Sequence, residues 1–222
     1  MANLIITIDG PAGVGKSSTA KQLAKKLGAA FLDTGAMYRA ATLAAMQSGC
    51  KLDDVKALEK IVDTTDFKFQ LTGQQMTAKI NDKDVTERLR DANVTDNVHF
   101  IASVPSLRDR LVKMQRQFAS EQTKIVTEGR DQGTVVFPNA DYKFFLTADA
   151  AKRTKRRADE LMEKGIEVDT DKLQQDIEKR DASDRNRDTA PLVPAKDAVI
   201  IDNTNLTLDQ TVNKIMEIVK IH

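Results

Sequence analysis

The chain has 222 residues, a single cysteine and a formal net charge of +1. A near-neutral charge provides no overall field for nucleic acid or an anionic membrane, and one cysteine excludes an internal disulfide framework. No apolar run approaches the ~20 residues that span a bilayer. The length allows a full hydrophobic core. We therefore expect one cytoplasmic domain over residues 1–222, with no nucleic-acid or membrane partner.

The N-terminal segment combines a predicted strand, a glycine-rich loop and a predicted helix. Leu4 to Ile8 is a short apolar run rich in β-branched residues, which is typical of a buried strand. Apolar residues then recur at helical spacing from Ala20 to Leu27. The loop between them matches the phosphate-binding pattern G-x-x-x-x-G-K-[ST] and consists of Gly10, Pro11, Ala12, Gly13, Val14, Gly15, Lys16, Ser17 and Ser18.

This context predicts a nucleoside triphosphate site, here called the P-loop. Glycines let successive backbone N–H groups point at phosphate oxygens, and the following helix adds the partial positive charge of its N-terminus. Lys16 would reach the β- and γ-phosphates, and Ser17 would hold Mg²⁺. The alternative is a glycine turn with a chance lysine, which does not explain why pattern and context agree.

Beyond the P-loop, short apolar runs alternate with helical patterns, which is typical of a parallel sheet covered by helices on both faces. The runs are Leu4–Ile8, Ala29–Leu32, Ile125–Thr127, Tyr142–Leu146 and Ala198–Ile201. Between about residues 63 and 86 the apolar pattern instead has period two, which predicts a small antiparallel sheet inserted between helices. The predicted fold is a three-layer α/β/α P-loop fold with this insertion. Thr207 and Gln210 form a candidate capping box for the last helix.

Arginines indicate a second anion site. Arg39 follows the second predicted strand, and Arg130 follows the third. The carboxyl ends of strands form the ligand crevice of an open α/β sheet, so we expect both arginines near the P-loop. Two further sets share helical faces: Arg153 with Arg157, and Arg180 with Asp184 and Arg187. The alternative for such charges is a solvated surface, which we accept for Arg90 and Arg116.

The scarcity of residues that could act as a catalytic base indicates what kind of group accepts the phosphoryl group. The two histidines are His99 and His222, and no pair of nucleophile and base is apparent. A phosphate monoester needs no strong base, because its second pKa lies near ~6. It needs neutralisation of clustered negative charge and in-line alignment. The sequence therefore predicts phosphoryl transfer to another phosphate; kinases for different monophosphates and a nucleotide-gated switch remain as alternatives.

Four segments, in this order along the chain, resemble bacterial cytidylate kinases: the P-loop GPAGVGKSS, Leu32–Arg39, Glu128–Pro138 and Arg180–Leu192. The inserted sheet belongs to the same resemblance. It implies ATP-dependent phosphorylation of CMP and dCMP to CDP and dCDP, with Mg²⁺ as the cofactor. A kinase for UMP or another small phosphorylated acceptor, or a nucleotide-gated P-loop switch, is the alternative. We expect a monomer whose partners are these small molecules.

The resemblance also implies roles by position. The catalytic residues would be Lys16, Arg130, Arg153 and Arg157, the last two in a mobile lid over about residues 150–190. The CMP-binding residues would be Thr34, Arg39, Arg108, Arg130, Asp131, Arg180, Asp184 and Arg187. Three positions depart from the family pattern: serine is common at Thr34, aspartate is usual at Glu128, and a ribose-contacting serine often stands at His99.

Overall fold

The structure is a computed structural model that describes residues 4–73, 75–163 and 165–219. The strands are β1 (Leu4–Asp9), β2 (Ala30–Asp33), β3 (Phe67–Thr72), β4 (Gln75–Ile80), β5 (Lys83–Asp84), β6 (Lys124–Gly129), β7 (Tyr142–Thr147) and β8 (Val199–Asp202). The α-helices are α1 (Lys16–Leu27), α2 (Thr34–Ser48), α3 (Val55–Thr64), α4 (Ala92–Ala102), α5 (Pro105–Ser120), α6 (Ala150–Met162), α7 (Thr170–Asn186) and α8 (Leu208–Ile218). Within the described ranges, no helix is both long and apolar enough to cross a membrane.

The chain divides into two compact units. Among the described residues, unit 1 comprises residues 30–123, and unit 2 comprises residues 4–29 and 124–219.

Unit 2 contains a parallel sheet in which the strands follow the order β6-β1-β7-β8. The register pairs Asp9, the last residue of β1, with Gly129 of β6 and Phe145 of β7. Ile6 and Ile8 of the central strand are fully buried. Because all four strands run in the same direction, the segments that follow them lie at one edge of this sheet. The P-loop, Arg130 and the start of α6 are therefore brought to the same edge.

The helices of unit 2 follow the predicted patterns. The apolar stripe of α1 from Ala20 to Leu27 is buried, as expected. Helix α8 begins with the predicted capping box, in which the Thr207 hydroxyl accepts from the Gln210 N–H and the Gln210 side chain accepts from the Thr207 N–H. The parallel sheet and its helices thus confirm the predicted fold class.

Unit 1 contains the small antiparallel sheet that the period-two pattern predicted. Its strands follow the order β3-β4-β5, and Phe67 lies opposite Ile80 while Leu71 lies opposite Met76. Buried and exposed residues alternate along β3, with Phe67 half-buried and Lys68 exposed. This one-sided burial is the physical cause of the alternation in the sequence.

Candidate active site

The P-loop joins β1 to α1, and glycine is required at several of its positions. Gly13 and Gly15 have φ values of +71° and +92°, a region that side chains with a Cβ disfavour. At Gly10 a Cβ would lie 2.4 Å from the carbonyl oxygen of Leu146. The loop therefore passes directly against β7. The first N–H groups of α1 have no partners within the helix and are suited to bind an anion.

Lys16 is the buried cation of the P-loop. Its side chain is only 6% exposed, and Nζ donates to the carbonyl oxygen of Pro11 at 2.7 Å. Burial and the charge of Arg130 together lower the pKa of Lys16 to about 7, while the charge of Glu128 opposes the shift. A phosphate placed here would restore the charged form of the lysine, because a nearby anion favours a cation.

Ser17 and Glu128 provide oxygen atoms beside Lys16. The Ser17 hydroxyl donates to Oε1 of Glu128 at 2.8 Å, and Glu128 is buried at the end of β6. Hydroxyl and carboxylate oxygens are ligands that Mg²⁺ prefers, so these two residues fit that ion. Within the described residues no group of three or more acidic, histidine or cysteine side chains could hold a metal ion. A magnesium ion at Ser17 would therefore take most of its ligands from nucleotide and water.

A cluster of arginines surrounds Asp184. Arg130 Nε donates to Asp184 at 2.6 Å, and Arg187 Nη1 lies 3.8 Å from the same carboxylate. Burial acts to raise the pKa of Asp184, but the charges of Arg130, Arg180 and Arg187 hold it below its usual range. Burial also acts to lower the pKa of Arg130, and the charge of Asp184 raises it. The charges of three guanidinium groups thus act on this one carboxylate, and Glu128 and Asp181 also act on Arg130.

The predicted helical face of this cluster is only partly correct. Helix α7 carries Arg180 and Asp184, but it ends at Asn186. Arg187 is the next residue and has an extended conformation, with φ −70° and ψ 139°. It approaches Asp184 because the chain turns there, where the Arg187 Nε donates to the carbonyl oxygen of Ala190.

The two predicted lid arginines have different contacts. Arg153 is buried, and its Nη1 donates to the carbonyl oxygen of Ala12 at 2.9 Å and to Asp181. Asp181 also accepts from the Ala12 N–H at 3.0 Å. The structure therefore attaches α6 and α7 to the P-loop through these three residues. Arg157, one turn further along α6, instead pairs with Glu160 at 2.8 Å.

Two residues that the sequence did not single out as P-loop contacts are Arg156 and Asn203. The Asn203 amide donates to the carbonyl oxygen of Val14 at 2.9 Å. Arg156 Nη2 donates to the backbone carbonyl of Asn203 at 2.7 Å. Asn203 directly follows β8, so the rule that strand ends meet at one edge could have found it.

In unit 1, Asp33 organises the segment that carries Thr34 and Arg39. Its carboxylate caps α2 by accepting from the Ala36 N–H at 2.9 Å, and Thr34 is the first helical residue. Arg39 Nη2 donates to the same carboxylate at 3.3 Å. Arg90 is exposed, as interpreted from the sequence, and also pairs with Asp33 at 3.5 Å.

Arg108 is the third predicted CMP-binding residue of unit 1. It is 4% exposed, donates to the carbonyl oxygen of Ala102 at 3.2 Å, and lies 5.7 Å over the ring of Tyr38. His99, by contrast, is exposed, and its Nδ1 lies 2.8 Å from the Asp96 carbonyl oxygen.

A P-loop at the carboxyl edge of a parallel sheet, with a buried lysine and clustered arginines, is typical of P-loop phosphotransferases. The sequence model of the family described as cytidylate kinase matches residues 6–221. The cytidylate kinase of Desulforamulus reducens is 47% identical over 211 residues, covering 95% of this chain and 94% of its own. That of Haemophilus ducreyi is 42% identical over 214 residues, covering 96% and 95%. The chain belongs to the cytidylate kinase family, which confirms the resemblance.

The fold is also found in solved structures of low sequence similarity. The crystal structure of an uncharacterized protein from Eubacterium ventriosum aligns with a TM-score of 0.53 at 15% identity, covering 98% of both chains. At this identity the likeness shows a shared fold alone.

Proposed function

We propose that this protein transfers the γ-phosphoryl group of ATP to CMP and dCMP, producing ADP with CDP or dCDP. Membership of the cytidylate kinase family supports the substrate. The observation that carries the chemistry is the environment of Lys16, a buried cation of the P-loop. Burial and the charge of Arg130 lower the pKa of this lysine to about 7. A buried cation whose Nζ donates to a backbone carbonyl oxygen is suited to stabilise the charge of transferring phosphates.

On the donor side, the P-loop N–H groups and Lys16 bind the β- and γ-phosphates of ATP. Ser17 would hold Mg²⁺ beside Glu128, and a bound ion would supply charge neutralisation to the phosphates. Arg153 lies against Ala12 of the P-loop, which supports a role in stabilising the transferred group. Arg157 shares this role in the proposal, and would have to leave Glu160 to fulfil it.

On the acceptor side, Arg39 and Arg130 bind the CMP phosphate. The base contacts are Thr34, Arg108, Asp131 and Arg187, and the ribose contacts are Arg180 and Asp184. The grouping of Arg130, Arg180 and Arg187 around Asp184 supports anion binding by Arg130. The acceptor phosphate attacks the γ-phosphorus while the bond to the ADP oxygen breaks, and no base is required because the acceptor is already largely dianionic.

Two parts of the chain complete this proposal. Helices α6 and α7, within the range 150–190, form a lid that excludes water as a competing acceptor. The antiparallel sheet, within the range 63–86, belongs to the monophosphate side. We propose that the protein works as a cytoplasmic monomer.

The test is ADP release from ATP with Mg²⁺, measured with CMP, dCMP, UMP, AMP and GMP in turn, and with no acceptor as the control. We expect release to depend on an acceptor and kcat/KM to be highest for CMP or dCMP. Release at an equal rate without acceptor would instead indicate a nucleotide-gated switch. A higher kcat/KM for UMP or AMP would overturn the proposed substrate.

A further inference from the structure

Asp9 is a buried carboxylate to which the proposed chemistry gives no role. It ends β1, immediately before the first glycine of the P-loop, and is 4% exposed. Both of its oxygens are used: Oδ1 accepts from the Gln132 N–H at 2.9 Å, and Oδ2 accepts from the Gly133 N–H at 2.8 Å.

The two N–H groups begin one turn of π-helix, Gln132–Val136, here called the π-turn. In this turn the Val136 N–H donates to the Asp131 carbonyl oxygen at 3.1 Å, and the Phe137 N–H donates to the Gln132 carbonyl oxygen at 2.7 Å. The first N–H groups of any helical turn have no partner within it. Asp9 supplies that partner for two of them, from a neighbouring strand.

The π-turn also lies very close to β1. A Cβ on Gly133 would be 3.0 Å from the Thr7 hydroxyl and 3.4 Å from Oδ2 of Asp9. The Gln132 side chain is fixed as well, since its Oε1 accepts from the Thr127 hydroxyl at 2.9 Å. The position of this turn therefore depends on contacts made by β1 and β6.

Arg130 and Asp131 directly precede the π-turn. We infer that Asp9 is a positioning residue, which fixes Arg130 and Asp131 relative to the P-loop by holding the first two N–H groups of the π-turn. It acts through the backbone and touches no substrate. The inference rests on the proposed function, in which Arg130 binds the acceptor phosphate and Asp131 contacts the base.

The same contacts make the effect of Asp9 depend on pH. The pKa of Asp9 is raised to about 6, mainly by burial and in addition by the charge of Asp131, while the two N–H bonds and Lys16 oppose the rise. Lys143 of β7 lies beside the π-turn, but its ammonium is paired with Asp197. Below pH 6 one oxygen of Asp9 carries a proton and faces an N–H group, so one of the two contacts weakens.

The test compares Asp9→Asn with the wild type in the ADP-release assay. The amide can accept from one N–H group, but its own NH₂ faces the other, which displaces the π-turn. We expect KM for CMP to rise about tenfold or more while KM for ATP changes less than about twofold. Val212→Ala, which creates a cavity at a fully buried residue of α8, is the control for lost stability alone.

A pH series separates positioning from simple destabilisation. The ratio of wild-type to Asp9→Asn kcat/KM for CMP cancels the ionisation of the substrate. We expect this ratio to be near one below pH 6 and to rise to a plateau above it, because kcat/KM reports the free enzyme. A second variant, Gly133→Ala, should shift the same KM in the same direction by crowding Thr7.

Equal changes in both KM values, matching those of Val212→Ala, would overturn the inference. So would a pH-independent ratio, or an unaltered KM for CMP in both Asp9→Asn and Gly133→Ala. If Asp9→Asn does not fold, Gly133→Ala alone tests the inference, by whether its KM for CMP rises more than its KM for ATP. Failure of the wild type to use CMP would refute the proposed function, and is distinguishable because it precedes any comparison of variants.

Discussion

Replacing Lys16 by methionine should stabilise the unliganded protein while abolishing its activity. Lys16 is buried, and burial together with the charge of Arg130 lowers its pKa from 10.5 to about 7. Methionine has a similar length and no charge. The variant therefore removes the free-energy cost of a buried ammonium group, together with the group that would stabilise the transferring phosphates.

The magnitude follows from the pKa shift. A difference of 10.5 minus about 7 corresponds to about 5 kcal/mol of cost at or below neutral pH. Loss of the hydrogen bond to Pro11 destabilises the variant by ~1–3 kcal/mol, because that carbonyl oxygen is left without its ammonium donor. The net gain is ~2–4 kcal/mol, which for a chain of this length raises the unfolding midpoint by on the order of 10 °C.

The sign of the pH dependence is a stricter test. Between about pH 7 and 10.5 the folded lysine is neutral while the unfolded one is still charged, so the wild type gains stability as pH rises. The advantage of Lys16→Met should therefore shrink by ~1.4 kcal/mol per pH unit over this window.

Thermal unfolding at pH 6, 7.5 and 9 measures the effect of Lys16→Met, with exposed Lys21→Met of the same helix as the matched control. The kcat of Lys16→Met should fall ~10²–10³-fold while that of the control is retained. A variant no more stable than the wild type at pH 6, or a stability difference that persists unchanged at pH 9, would refute the reasoning.

Three further outcomes are expected. Asp131→Asn should lower kcat/KM for CMP more than for UMP, since a carboxylate is suited to accept from the cytosine amino group; an unchanged ratio of the two would exclude a base-reading role. Hydrogen exchange over α6 and α7 should slow only when an ATP analogue and CMP are both present, and equal protection without them would contradict an ordering lid. Replacing residues 67–84, the antiparallel sheet, by a short glycine-rich linker should raise KM for CMP far more than for ATP, provided that the variant folds; equal changes would argue against the proposed placement of the sheet.

Local patterns predicted the fold well because each has a single physical cause. The alternation near Phe67 to Ile80 reflects one buried face, and the P-loop pattern reflects glycine φ values that side chains disfavour. The capping box at Thr207 was predictable for the same reason, since both of its hydrogen bonds join residues three apart. Such features need no knowledge of distant parts of the chain.

The site was harder to predict because its contacts join distant residues. Asp181 reaches the Ala12 N–H across 169 positions, and nothing in the local sequence of either residue indicates that bond. Arg153 and Arg157 were equivalent by helical spacing, yet only Arg153 meets the P-loop backbone in the structure. The pairing of exposed Arg90 with Asp33 has no local signal either, because the two residues lie far apart along the chain.

Asp9 and Lys16 are two buried ionisable groups near the P-loop, and the way each is bound separates their roles. The Asp9 carboxylate accepts two backbone N–H bonds from the π-turn, which stabilise its charged form against the effect of burial. The Lys16 ammonium donates to one carbonyl oxygen, and the nearby charge of Arg130 disfavours its charged form. A bound phosphate would relieve that repulsion at Lys16 and would leave the two N–H bonds of Asp9 intact. Because a bound phosphate would stabilise the charge of Lys16 and not that of Asp9, Lys16 is suited to contact the reacting phosphates. Asp9 is instead suited to hold the backbone that carries Arg130.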